Sequence, residues 1–413
     1  MNKSIMLALA TALALVCPPA RAQQRPAARE PLSLIGALAT AFRQSPLLAE
    51  AQAGSDAERA RLQQARLRPN PEIGVAIDNL PTRGPLEGAD AAATAWTLAM
   101  PLELSGQRRA RAALASAGVD AAEAGRQLSA VDLARAVRAA YATALAADET
   151  VKVVSADVEL ARELEAGVGK LVEGGREPPL RAVTAKVERQ TAEAALATAV
   201  ADAAASQAAL AALIGRQDTL FTLAAAPVPR GVAAPANPDL AIARAEQQRA
   251  NARIAFERSL RAPVPRLNLG YRQFQQVPAS AVTVGVSVTL PLFNRNGGNI
   301  AAAAAEARRA EASQRRVALE VVARQRAAEA RITAAAAQIE TLNGGLVPGA
   351  EEALRIARLG YAAGKFSFLD LLNAQRSLGS ARRALIAARR DLAIAEAERD
   401  RALGIIPELE AKP

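Results

Sequence analysis

The chain has 413 residues and a formal net charge of +10, with no histidine and a single cysteine. It is 51% hydrophobic but only 3% aromatic, so alanine supplies most of the apolar count. Such a composition excludes a large core of bulky side chains but suits closely packed helices. It also excludes chemistry built on a histidine base, a mature thiolate or a His/Cys zinc site. No catalytic residue, metal ligand, cofactor or enzymatic activity is expected.

The N-terminus reads as a secretory signal over residues 1–22. Lys3 supplies the positive end, Ile5 to Val16 an apolar run, and Ala20-Arg21-Ala22 a cleavage site before Gln23. Cys17 suggests a lipoprotein, but Val16 stands where a small residue is expected. The positive charge invites a nucleic-acid partner, yet export, scattered arginines and few aromatics argue for none. Arg308-Arg309, Arg315-Arg316, Arg382-Arg383 and Arg389-Arg390 instead read as solvated helix faces. No apolar run after the signal is judged to reach the roughly 18–20 residues of a spanning helix. An exported chain of this kind is periplasmic, secreted or part of a β-barrel.

A first structural repeat is assigned to 23–223. It opens on a helix with Ser45 as N-cap and Pro46 in its first turn, stopped by Pro69 and Pro71. Strands at about 72–80 and 93–101 follow from alternation: Ile73, Val75 and Ile77 on one face, then Trp96, Leu98 and Met100. A long helical hairpin, 106–214, turns at Gly174 and Gly175. The proline-rich stretch 224–236 reads as a linker.

The second repeat, 237–404, has the same order at an offset of 189–190 residues. Asn237-Pro238 starts its helix, and strands fall at about 266–275 and 281–290. In the second of these Val282, Val284, Val286, Val288 and Leu290 alternate with polar or small residues. The hairpin 297–403 turns between Gly360 and Gly364, and 405–413 is a tail. Leu371, Leu378, Leu385 and Leu392 recur every seven residues, as do Ala374, Ala381, Ala388, Ala395 and Ala402. A sustained heptad specifies a coiled coil, and alanine in the seam permits close approach.

Two strands per repeat cannot hide their edges in a membrane, so both hairpins must join one sheet. Four strands still fall short of the smallest closed barrels, which have about eight, so closure demands several protomers in cyclic symmetry. Two or three protomers both satisfy this requirement.

The stretch Gly360-Tyr361-Ala362-Ala363-Gly364-Lys365-Phe366-Ser367-Phe368-Leu369-Asp370-Leu371-Leu372-Asn373-Ala374-Gln375 resembles the tip signature of the TolC-like outer-membrane efflux family. Leu102 to Arg108, and Pro291 to Ile300, are similar to its CzcC-type branch, associated with heavy-metal efflux. The resemblance covers nearly the whole chain beyond the signal. It implies a mainly α fold with a β-barrel membrane part: a homotrimer with a twelve-stranded barrel in outer-membrane lipid and a long periplasmic coiled-coil barrel. It further implies a Gram-negative outer membrane, a periplasmic membrane-fusion adaptor and an inner-membrane resistance-nodulation-division pump. The expected function is passive conduction, with heavy-metal cations as candidate cargo.

By motif position, Asp370 falls in an acidic constriction at the periplasmic aperture, while Asn373 stands where a second aspartate is common. Arg181 is the first-repeat counterpart of Asp370, and an Arg181–Asp370 link between closed hairpins is the expectation. Gly174, Gly175, Gly360 and Gly364 read as turn glycines. Arg176, Lys365 and Phe366 are the exposed adaptor-docking candidates. Gly360-x-x-x-Gly364-Lys365 is no phosphate loop, because its spacing is short, no Ser or Thr follows the lysine and no strand precedes it. A type I protein-secretion or drug-efflux duct shares this architecture. A soluble periplasmic coiled-coil adaptor or scaffold would not need the strands.

Overall fold

The computed structural model describes residues 31–78, 92–219, 221–224, 231–233, 237–274 and 278–407. The signal segment, Cys17, residues 79, 80 and 275, most of the linker and the end of the tail lie outside them.

The chain begins with α1 (Leu34–Gln44) and α2 (Pro46–Arg66), followed by β1 (Glu72–Asp78) and β2 (Ala93–Pro101). The first hairpin is α3 (Gln107–Glu173) and α4 (Pro179–Leu213). After β3 (Gly231–Ala233), the order repeats as α5 (Pro238–Ser259), β4 (Pro265–Phe274) and β5 (Ser280–Val288). The outgoing arm of the second hairpin is α6 (Gly297–Thr341) and α7 (Val347–Ala362), joined by a π-helical turn at Leu342–Leu346. The return is α8 (Phe368–Leu403), and β6 (Ile405–Pro407) closes the order.

Local chemistry sets the helix starts. Asn237 caps α5 by accepting the Leu240 N–H at 3.2 Å, and its amide donates to the Ala402 carbonyl at 2.6 Å. Ser45 departs from expectation, since its side chain makes no cap hydrogen bond; Pro46 alone begins α2. The second outgoing arm is likewise not one continuous α-helix. Pro348 has no N–H to give, and the adjoining π-turn, a single wide turn within the arm, lets the chain continue past it.

The four long strands form one antiparallel sheet in the order β1-β2-β4-β5, which leaves β1 and β5 as open edges. The register puts Val75 opposite Trp96, Trp96 opposite Tyr271 and Tyr271 opposite Val282. One face is therefore a continuous apolar layer, exposed in the single chain. The other face carries Ala95, Thr97, Gly270 and Thr283, along with charged residues at its two ends. β3 pairs with β6, tying the linker to the tail, a pairing absent from the linker-and-tail reading.

The long helices lie side by side, with α4 against α3, α3 against α8, and α8 against α6 and α7. Most of the heptad seam is buried: Leu371, Leu378, Ala381, Leu385, Ala388, Ala395 and Ala402 lie inside, while Ala374 and Leu392 are half-buried. By composition α4 is long and apolar enough to cross a membrane, with a mean hydropathy of 1.4 over its best 18 residues. That corrects the expectation that no such run exists. Alanine produces the value, and α4 instead packs along α3 as one arm of the hairpin. A bulkier core, built on Leu38, Val137, Tyr141, Leu210 and Ile214, locks α1 against the middle of α3 and the end of α4.

Candidate functional site

The two hairpin tips are built alike. In the first, the Arg176 N–H donates to the Leu171 carbonyl at 2.8 Å and the Gly175 N–H to Val172 at 3.0 Å. In the second, Lys365 donates to Gly360 at 2.8 Å and Gly364 to Tyr361 at 2.9 Å. Each is a Schellman stop whose glycine takes the left-handed conformation, φ 70° at Gly175 and 72° at Gly364. Gly174 is the residue before its stop. Gly360 is not a turn glycine: it lies within α7, and a Cβ there would run into the Phe366 ring. Its lack of a side chain seats Phe366, which remains exposed beside Lys365; Arg176 is exposed on the other tip.

The returning helices start differently. Pro178 and Pro179 begin α4 without any side-chain cap. Ser367 begins α8 through a capping box: its hydroxyl accepts the Asp370 N–H at 3.2 Å, while Asp370 Oδ2 accepts the Ser367 N–H at 2.9 Å. The Ser367 hydroxyl also donates to Asp370 at 2.7 Å. Together these bonds hold the Asp370 carboxyl below the usual carboxylate range, the hydroxyl bond contributing most.

Asp370 and Asn373 are exposed near the start of α8. Arg181 does not reach Asp370. It lies 3.9 Å from Glu177, one turn back on its own hairpin, so the expected link is absent within the protomer. The physical reason is that residues matched by a repeat offset occupy equivalent places on two hairpins, and equivalence is not contact.

What joins the tips is a small apolar cluster. Phe368 (1% exposed) packs with Val168, Ala185 and Leu372, flanked by Leu164, Val172 and Tyr361. The Tyr361 and Phe368 rings are 6.0 Å apart and tilted by 53°. The Tyr361 hydroxyl is shut off from solvent without a hydrogen-bond partner among the described residues. Burial raises its pKa, and the Glu177 carboxylate raises it further. Further along, Arg376 pairs with Glu188, and Arg383 pairs with Asp157 at 2.9 Å. Burial raises the Asp157 pKa, with Arg383 opposing that effect. These four ion-pair partners, with Phe368, couple the hairpins; of the four only Arg383 was noted from sequence, and there as part of a solvated helix face, which its pairing with Asp157 corrects. Only the Glu177/Arg181 spacing of four carried a readable signal.

A second charged feature lies on the polar face of the sheet. Arg266 reaches Glu72 at 3.1 Å and Arg272 reaches Asp78 at 2.7 Å, each spanning β2 from β4 to β1. Small residues such as Ala95 and Ala99 in β2 leave room for this.

A four-stranded sheet with two open edges, carried on a duplicated set of very long helical hairpins, is the architecture of a membrane channel with a helical extension. The family model described as "Outer membrane efflux protein" matches residues 37–216 and 232–405, one block per repeat. The chain belongs to this outer membrane efflux family and is an efflux channel of the Gram-negative outer membrane. It is 30% identical over 369 residues to the cobalt-zinc-cadmium resistance protein CzcC of Cupriavidus metallidurans, covering 85% of each chain. A solved membrane protein from Pseudomonas aeruginosa is similar in fold, with a TM-score of 0.78 and 20% identity over 90% of this chain and 93% of that one. The outer membrane protein VceC of Vibrio cholerae gives 0.76 and 22% over 91% and 97%. The fold is thus TolC-like.

Proposed function

We propose that three copies of this chain form the exit duct of a tripartite efflux system for heavy-metal cations. The observation that carries the reading is the pair of unfinished edges. β1 and β5 are open on the sheet while α4 and the α6/α7 arm are open on the helical side, so one cyclic operation covers all of them. Three copies give twelve strands, and the three Asp370 carboxylates then ring the periplasmic entrance, with Asn373 behind them. Arg176, Lys365 and Phe366 are offered to a periplasmic adaptor, which connects the duct to an inner-membrane resistance-nodulation-division pump.

The metal cargo follows from the likeness to the cobalt-zinc-cadmium resistance protein. The sequence supplies no histidine and only Cys17 as a thiol, so the soft ligands that discriminate such metals lie in the partners. The test joins two measurements. Cross-linked protein from purified outer membranes should run as a trimer. Expression in a strain lacking its own metal-efflux channel but retaining adaptor and pump should restore zinc or cobalt resistance. A monomer that washes into the soluble periplasm would overturn the duct; a trimer that restores drug but not metal resistance would overturn the cargo.

A further inference from the structure

In each protomer the chain passes between a helix and the four-stranded sheet four times. All four passages carry exposed arginines: Arg66 and Arg68, Arg108 and Arg109, Arg258 and Arg261, and Arg295. None of these makes a side-chain hydrogen bond or ion pair among the described residues. The carboxylates of the same stretches are all occupied: Glu72 by Arg266 at 3.1 Å, Glu103 by Arg111 at 2.6 Å and Glu257 by Arg253 at 2.9 Å. The junction therefore concentrates uncompensated positive charge. Beside it stand exposed apolar side chains: Leu104, Leu292 and the wholly exposed Phe293.

Depth places this collar. β5 presents Val282, Val284, Val286 and Val288, all exposed, and ends at Val288; the Leu292 N–H then donates to the Leu290 carbonyl at 2.9 Å, so the chain turns just before Phe293. The strand Ser280–Val288 covers about 31 Å, or about 22 Å of membrane at a 45° tilt. That matches the roughly 25 Å apolar band of outer-membrane barrels. Phe293 and Arg295 thus fall at the boundary on the helical, periplasmic side. An open recess of about 420 Å³ at the same level is lined by Arg61, Arg68 and Arg111.

We propose that this arginine collar binds the phosphates of anionic phospholipid headgroups in the periplasmic leaflet, with Leu104 and Phe293 dipping into the acyl boundary beside them. The proposal rests on the channel reading above and adds a lipid class and a set of residues to it. Guanidinium groups suit phosphate through paired N–H donors, and membrane-surface attraction adds up over several of them. The apolar neighbours exclude water on the membrane side, as interfacial anchors do. The collar fixes the height of the channel, and with it the reach of the hairpin tips into the periplasm.

Trp96, the only tryptophan, is level with Tyr271 and Val282, at the end of the strands away from the collar, so the probe is moved to the collar by W96F/F293W, which serves as the background for every variant below. Full-length trimer is reconstituted in phosphatidylcholine vesicles, and tryptophan quenching at position 293 is compared for brominated phosphatidylglycerol and brominated phosphatidylcholine. The protein with wild-type collar arginines should prefer phosphatidylglycerol by about fivefold, roughly the factor one arginine supplies at an anionic surface, and lose the preference in high salt. The variant R108Q/R109Q/R258Q/R261Q should quench equally with both lipids. The variant R326Q/R331Q removes exposed arginines of α6 roughly 45 Å away and should retain the preference. Equal quenching with the wild-type collar arginines, or a preference kept by the fourfold variant, overturns the proposal. A fourfold variant that changes the reversal potential while lipid preference stays intact would place the collar in the lumen and also overturn it. Conductance recorded on the same trimers reports the channel reading separately.

Discussion

Phe368→Ala tests whether the apolar cluster at the tips holds the periplasmic end of the chain together. Phe368 is the first residue of α8, and its ring touches side chains from α3, α4 and α7 as well as its own helix. Truncating a buried phenylalanine costs about 3–5 kcal/mol, part of which here is the tilted contact with Tyr361. The loss should not spread evenly. Above the tip the hairpins remain zipped by the heptad seam and by Arg376–Glu188 and Arg383–Asp157. Local opening therefore absorbs it, and 3–5 kcal/mol corresponds to about a 10²–10³-fold increase or more in the open population.

Hydrogen exchange read by peptide should show faster exchange at 164–185 and 361–375 with protection near Leu210 unchanged. Single channels should show longer or more frequent openings. Leu210→Ala makes the control cavity in the bulkier core, and should lower overall stability while leaving tip exchange alone. Unchanged protection at both tips in Phe368→Ala would refute the reasoning, because no other contact described here could substitute for a ring buried among four helices.

Three further outcomes follow from the same geometry. Arg272→Gln should leave Asp78 unpaired on the polar face of the sheet; in a trimer the three freed carboxylates should shift the reversal potential toward cation selectivity, and an unchanged potential would mean this face is not the lumen. Gly360→Val should displace the Phe366 ring and weaken adaptor binding without altering trimer yield, as read by pull-down of the purified partner. Asp370 has a folded pKa below its unfolded one, so its capping contribution is complete above the ordinary carboxylate range, near pH 4, and is lost as pH falls through the folded value. The protection factor at the start of α8, which is the intrinsic exchange rate at each pH divided by the observed rate, should fall on acidification in the wild type and be lower but pH-independent in Asp370→Asn.

The legible parts of this fold were those written in local, periodic signals. β2 declares itself by alternation and stops at Pro101, and the seam of α8 follows from a seven-residue spacing that one helix face must bury. The β3–β6 pair has no such signature, since three residues cannot establish a period and their partners lie at opposite ends of the second repeat. The Gly360 role was hidden for a related reason. Glycine beside a turn is read as conformational, but here the reversal folds Phe366 back over α7, a contact visible only in three dimensions. For the tips, the sequence located Asp370 and Arg181 correctly on their helices and misjudged their relation. A repeat offset identifies pseudo-symmetric positions, and those positions avoid each other unless they sit on the symmetry axis.

The opposite charges at these matched positions have a capping explanation. A helix begun by Ser367 leaves N–H groups that a carboxylate three residues on can satisfy, and the positive end of the helix dipole favours that charge. A helix begun by Pro178-Pro179 lacks two of those N–H groups, the cap residue's among them, and needs no such partner, which frees position 181 for a cation. Arg181 sits in an unfavourable dipole position and is balanced by Glu177 rather than by Asp370. In the proposed trimer each Arg181 is therefore already compensated within its own hairpin. The field of the three Asp370 carboxylates is then left to act on the entering cargo, opposed chiefly by the neighbouring Lys365. Cation attraction at the entrance thus depends on Glu177 as much as on Asp370, although Glu177 carries none of the family's signature.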